Sequence, residues 1–240
     1  MRRTLIVSDI HGCVDQLDEL LLAVSYNPVA DDLILLGDYV DRGPKSKESV
    51  ERVMQLVEND GAVALRGNHD QRFADLIRAD SEELTAKFLE HGGIQTLQSY
   101  CDLTGDQVVD PEVIRSARAH VSHNYSRHID FLRSLPLFHE DRNHIYVHAG
   151  LNPNFKNWRD QPEHDFMYIK KEFHQAKLSV GKTVIFGHTR TVELQQSPDV
   201  WFGDGKIGID GGCAYGMQLN GLIYYEGVYS TVSVPNNRRG

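Results

Sequence analysis

Apolar residues fall into two kinds of run along the first seventy positions. Thr4–Ser8, Leu33–Leu36 and Ala62–Leu65 are short, continuous and aliphatic or β-branched, the pattern of buried strands. Between them Leu17, Leu20, Leu21 and Val24, and then Val50, Val53, Met54 and Val57, recur every three or four residues and predict two amphipathic helices. The order βαβαβ predicts parallel strands joined by right-handed crossovers, and hence an α/β chain. Residues 71–135 keep a helical period, are rich in Arg, Glu and His, and predict a helical elaboration within one domain spanning 1–240. Strand runs return at Ile145–Val147, Thr183–Phe186, Ile207–Ile209 and Leu222–Val234; alternation and Gly-rich turns in the last two predict antiparallel pairing. The closing Asn-Asn-Arg-Arg-Gly reads as a frayed end.

Charge narrows the range of partners. Lys plus Arg number 25 against 34 Asp plus Glu, a formal net charge of −9. Such a surface repels nucleic acid and anionic membrane, so neither is expected as a stable partner. Cys13, Cys101 and Cys213 are scattered, with no CxxC pair, which excludes a disulfide framework and a Cys-based zinc site and points to a reducing compartment. Arg2 and Arg3 precede an apolar run of only Leu5–Val7, too short for a secretory core, and no stretch approaches membrane-span length. A cytoplasmic location is expected. Nothing in the chain sets an oligomeric state.

The chemistry lies where the strands end. Five segments follow short apolar runs: Ser8-Asp9-Ile10-His11-Gly12, Gly37-Asp38-Tyr39-Val40-Asp41-Arg42-Gly43, Arg66-Gly67-Asn68-His69-Asp70, Val147-His148-Ala149-Gly150 and Phe186-Gly187-His188-Thr189. C-terminal strand ends are where sites assemble in open α/β sheets, and glycine allows the sharp turn there. Asp9, His11, Asp38, Asn68, His148 and His188 offer carboxylate, imidazole and amide oxygen, a donor set suited to divalent Mn, Fe, Zn or Ni. Six ligands are too many for one catalytic ion that must keep open positions. They suit two ions about 3.5–4 Å apart, bridged by a carboxylate and holding a hydroxide for in-line attack at phosphorus.

In order and spacing these blocks resemble the phosphoprotein phosphatases within the calcineurin-like metallophosphoesterases, whose signature reads GDxHG, GDxVDRG, GNH(E/D), HAG and GHT. Ser8 replaces the first glycine, and the likeness runs from Thr4 to about Leu222. The resemblance implies a central β-sandwich of two mixed sheets flanked by helices. It implies Asp9 and His11 on a first metal, Asp38 bridging, and Asn68, His148 and His188 on a second, with manganese the first choice of ion. It implies His69 as general acid oriented by Asp41, and Arg42 and Arg66 on the phosphate oxygens. Bacterial relatives carry a further phosphate-binding Arg after HAG. Here Lys170, in Met167-Tyr168-Ile169-Lys170-Lys171-Glu172-Phe173, holds that place, keeping the charge without the bidentate fork. Asp210 and Tyr215 are expected in the wall of the site.

Each residue also has a plainer reading. A lone Asp after a strand is often a turn or cap residue, and a lone His there is often structural. The shared context lifts the named residues above this. His91, His120, His123, His128, His139, His144, His164 and His174 lack ligand spacing and read as structural, Cys13 reads as a small buried hydrophobe, and Asp70 as a support behind the site. The expected function is therefore a metal-dependent phosphoesterase with a phosphorylated protein or small phosphate as substrate. Phosphoserine and phosphothreonine rank first, and a dinucleoside polyphosphate of the diadenosine tetraphosphate type is the alternative. A catalytically silent phosphate-binding module is disfavoured because no ligand is missing, and a nuclease because no basic stripe exists.

Overall fold

The computed structural model describes residues 2–101, 103 and 110–236. The predicted parallel strands are β1 (Arg3–Val7), β2 (Asp31–Leu35) and β3 (Val63–Ala64), linked by α1 (Val14–Ala23) and α2 (Ser46–Asp60). Leu5 stands opposite Leu33, and Ile34 opposite Val63, in parallel register. Leu5, Ile6 and Val7 are all fully buried, because helices cover one face of β1 and the second sheet covers the other. That is why the run is continuous rather than alternating. The helical segment consists of α3 (Asn68–Arg78), α4 (Glu82–Glu90), α5 (Gly93–Cys101), α6 (Pro111–Asn124) and α7 (Ser126–Ser134). Of the tail expected to fray, only Asn236 is among the described residues.

The remaining elements are β4 (Phe138–Glu140), β5 (His144–Val147), α8 (Glu163–Tyr168), α9 (Lys171–Gln175), β6 (Thr183–Phe186), β7 (Trp201–Gly203), β8 (Lys206–Gly208), β9 (Gln218–Tyr225) and β10 (Val228–Pro235). They complete two mixed five-stranded sheets, ordered β10-β9-β1-β2-β3 and β4-β5-β6-β8-β7. The run at 222–234 is one hairpin that turns at Glu226 and Gly227, both left-handed (φ 51° and 85°), and it pairs antiparallel as predicted. β8 differs in part: it is antiparallel to β7 but parallel to β6, because it is also the inner partner of the βαβ-like second half.

Between the sheets, Ile6, Ile34, Leu36 and Leu65 meet Tyr146, Ile185, Ile207 and Ile209. On the outer face of the first sheet, Leu17, Leu20, Val50 and Val53 cover Leu5, Val7, Leu33 and Leu35, and Phe73, Phe88 and Tyr100 extend this core into the helical segment. Each such side chain contributes about 1.5–3 kcal/mol on burial. No helix among the described residues is long and apolar enough to cross a membrane.

Candidate active site

Three strands of the first sheet and two of the second end at one place. Asp9 follows β1, Asp38 follows β2, Asn68 opens α3 after β3, and His148 and His188 follow β5 and β6. The backbone turns there are tight. Asp9, His11, Asp38, Asp41, Arg42 and His188 all have φ between 45° and 71°, a region that L side chains rarely occupy. Cross-links hold them: Asp9 N donates to Gly37 O (3.1 Å), His11 N to Asp38 O (2.9 Å) and Gly187 N to His148 O (2.8 Å). The flanking glycines make room for carboxylates. A Cβ on Gly67 would lie 2.1 Å from Asp38 Oδ1, and one on Gly187 would lie 2.1 Å from Asp9 Oδ2.

Asp38 is the hub. Its Oδ2 lies 3.5 Å from His11 Nε2, 3.4 Å from His148 Nε2 and 4.0 Å from His69 Nε2. Two groups of donors that could hold metal ions share it, one with His11 and His69, the other with His148 and His188. Asp9 Oδ1 stands 4.0 Å from His11 Nε2, and Asn68 Oδ1 is 3.0 Å from His148 Nε2. The six expected ligands therefore converge.

The side chains fit divalent ions. His11 Nδ1 is bonded to Val40 O (2.7 Å) and His148 Nδ1 to Leu36 O (2.9 Å), so both rings present Nε2 inward, the usual support for a metal-binding imidazole. Burial, with Arg42 adding to it, holds His11 neutral, and burial with His148 does the same for His188, the protonation state in which an imidazole binds a metal. Burial pushes the Asp9 carboxyl up, His148 opposing and the charge of Asp38 adding to it. Burial also opposes ionisation of Asp38, but His148 and His69 beside it hold its carboxyl well below the usual range. Two closely spaced buried carboxyls of this kind are what a pair of cations neutralises. Asp70 braces the site from behind, accepting from the amides of Asp38, Tyr39 and Gly67 at 2.8–2.9 Å.

His69 and Asp41 form a buried dyad, with Nδ1 2.6 Å from Oδ2. The other Asp41 oxygen accepts from Thr96 Oγ1 on α5 (2.7 Å), whose own oxygen accepts from Asp41 N (2.8 Å). Arg42 spans two rings, with NH1 2.5 Å from His11 Nε2 and NH2 2.8 Å from His69 Nε2. Since a guanidinium only donates, both Nε2 atoms accept here, and each Nδ1 carries the proton.

Asp38, Arg42, Asn68, His69 and His188 line a cavity of about 440 Å³ that also holds Arg72, His91, Lys170, Arg190, Asp210 and Tyr215. Arg42 and Lys170, the two cations expected on phosphate that line it, face the same space as Asp210 and Tyr215. Arg66 does not line it; its guanidinium bonds Arg133 O (3.2 Å) and Glu163 (3.4 Å). Five lining residues escaped the sequence reading, among them Tyr168 and Glu193, which accepts from Arg190 Nε (2.9 Å). Arg72 lies one helical turn beyond His69, a spacing that could have flagged it. Arg190 directly follows the last block, two residues after His188. His91, grouped with the structural histidines, comes to the rim with its ring 6.3 Å from that of His69. Tyr215 packs under two of the cations, 5.1 Å from the Arg42 guanidinium and 4.5 Å from that of Arg190.

Comparison with known proteins agrees with this geometry. The family profile described as calcineurin-like phosphoesterase matches residues 2–191. A bis(5'-nucleosyl)-tetraphosphatase PrpE (asymmetrical) of Bacillus cereus is 28% identical, the match covering 97% of this chain and 94% of that one. A symmetrical bis(5'-nucleosyl)-tetraphosphatase of Nitrosospira multiformis is 32% identical over 62% of this chain, which spans only 44% of that relative. Among solved structures, one assigned provisionally as a diadenosine tetraphosphatase superposes with a TM-score of 0.66 at 25% identity, covering 100% of this chain and 95% of that one. A serine/threonine phosphatase of Saccharomyces cerevisiae shares the fold at TM-score 0.57 and 13% identity, over 99% of this chain and 84% of its own. With its two mixed sheets and its histidine–carboxylate centre, the chain belongs to the calcineurin-like phosphoesterases, metal-dependent hydrolases of phosphate esters and anhydrides.

Proposed function

We propose that this chain cleaves an anhydride bond in a dinucleoside polyphosphate of the diadenosine tetraphosphate type, acting in the cytoplasm. One observation carries the reading. Arg42, Arg72, Lys170 and Arg190 line a single cavity around His69 and Asp38, in a chain whose net charge is −9. A phosphomonoester presents one phosphoryl group, whereas four cations in one cleft suit a chain of several. The tetraphosphatase names of the relatives that match nearly the whole chain support the same choice over a phosphorylated protein, the substrate ranked first from sequence.

Asp9, His11, Asp38, Asn68, His148 and His188 would hold two divalent ions, with Asp38 shared and manganese the first choice. Bound there, the ions supply Lewis-acid stabilisation of the phosphoryl charge and a nucleophile at neutral pH. The rest falls to the protein. Arg42 and Arg190, steadied by the Tyr215 ring, hold the phosphate chain, and Lys170 and Arg72 extend the grip. Once Arg42 turns from His69 to the phosphate and His69 takes up a proton from solvent at Nε2, His69 donates that proton to the departing phosphate oxygen, while Asp41 keeps Nδ1–H pointed at itself and fixes the ring.

Product analysis tests the proposal. Metal-stripped protein, with and without Mn²⁺, is offered diadenosine tetraphosphate and a phosphothreonine peptide side by side. Mn-dependent nucleotide products from the dinucleotide are expected, with little phosphate from the peptide. Phosphate from the peptide alone would overturn the substrate and restore the protein-phosphatase reading. No activity on either substrate, nor on p-nitrophenyl phosphate, would leave the silent module.

A further inference from the structure

Beside the catalytic cavity lies a second one of about 400 Å³, built by α9 on one side and by the loop from β6 to β7 on the other. Lys170 and Glu193 line both cavities, so the two adjoin. Lys171, His174, Thr189 and Trp201 complete most of the second wall.

Three features mark it as a ligand site. Trp201 is only half-buried, and its indole is fixed: it packs against the Phe186 ring (6.1 Å between centroids) and over Gly203, where a Cβ would come within 2.2 Å of the ring. Thr189 Oγ1 and His174 Nε2 are both buried, and neither has a hydrogen-bond partner in the protein. Burial, with Lys206 and Lys170 adding to it, pushes the His174 imidazole down to about 4, so at neutral pH it offers one donor and one acceptor. Finally, Lys170 sits at the junction, where a phosphate chain passing from one cavity to the other would run.

We propose that this second cavity is a nucleoside subsite: a nucleobase stacks on Trp201, its polar edge meets Thr189 and His174, and its phosphates pass Lys170 into the catalytic cavity. Every base has a π-face, so stacking tolerates any base, and the neutral polar pair can favour one. The proposal rests on the dinucleotide reading given above, but it is measured separately from turnover.

The test compares the affinities of AMP and inorganic phosphate for the metal-loaded enzyme by calorimetry. AMP should bind at least about ten-fold tighter than phosphate, the scale of one base stacked on one ring. That ratio should persist in Trp201→Phe and fall towards one in Trp201→Ala and in Trp201→Leu, the last keeping apolar bulk so that the packing against Phe186 survives. A ratio near one in the wild type, or one unchanged in the folded Ala and Leu variants, overturns the subsite. Turnover of diadenosine tetraphosphate then separates the two ideas. Cleavage with a flat ratio removes the subsite alone; a ratio that depends on Trp201 without cleavage upholds the subsite and removes the substrate.

Discussion

Asp41 Oδ2 lies 2.6 Å from His69 Nδ1, and Thr96, far along the chain on α5, fixes the other oxygen of that carboxylate. The helical segment thus reaches into the His69–Asp41 dyad. Asp41→Asn should lower kcat by about 10²–10⁴-fold for substrates whose leaving oxygen needs a proton, and much less for p-nitrophenyl phosphate. Thr96→Val should show the same leaving-group dependence, more weakly. A leaving-group series in which both variants lose rate uniformly would remove His69 from the role of acid.

Metal loading should be visible in stability. With Asp38 shared between both donor groups, Mn²⁺ at one hundred times its Kd should stabilise the wild type by about 2.7 kcal/mol per site. Asp38→Asn should abolish the shift, and so should Gly67→Ala, whose new Cβ would fall on Asp38 Oδ1. Thermal melts with titrated Mn²⁺ decide this; a Gly67→Ala protein that melts and responds like the wild type would refute the close-approach argument.

Acid should weaken the metal-free fold through histidines away from the site. His128 Nδ1 is 2.9 Å from the Tyr100 hydroxyl, and burial, with Arg127 and Lys47 adding to it, pushes its imidazole down to about 4. The unfolded chain then binds the proton more tightly, near pH 6.5. Stability is therefore full above about 6.5, declines as pH falls towards 4, and levels off below. His174 contributes to the same limb. His128→Phe should flatten it by less than the ~1.4 kcal/mol per pH unit that one group can supply. Urea melts in chelator between pH 4 and 7 provide the check, and parallel slopes for the two proteins would count against it.

Phosphate recognition should follow the cavity lining. Arg190→Ala and Arg72→Ala should raise KM for diadenosine tetraphosphate by roughly ten-fold or more, each removing a charged hydrogen-bond donor. Arg66→Ala, whose guanidinium bonds Arg133 O and Glu163 instead, should change KM little. Steady-state kinetics would reverse this assignment if Arg66→Ala proved the most damaging.

The sequence was most legible where strands end. Asp9, Asp38, His148 and His188 each follow an apolar run with a glycine within three residues, so periodicity and turn chemistry together revealed the parallel half of the fold and the side chains that gather at its strand ends. What escaped was placed by tertiary contact. Arg72 is a buried polar residue of α3 and His91 follows the last turn of α4, so no apolar period marks either. Arg190 lies in a loop that no periodicity governs. β4 and β7 are three residues long, too short for alternation to register. β8 takes one partner of each direction, which depends on where neighbouring strands lie and not on its own residues.

The left-handed backbone at Asp9, His11, Asp38, Asp41, Arg42 and His188 also bears on how this protein could be improved in the laboratory. Such conformations cost side-chain-bearing residues of order 1–3 kcal/mol each, and glycine is spared most of that cost. A selection for heat resistance alone would therefore find its easiest gains at the residues proposed above to do the chemistry. Its winners would be robust, well folded and inert, so any screen for a hardier variant has to demand turnover at every round.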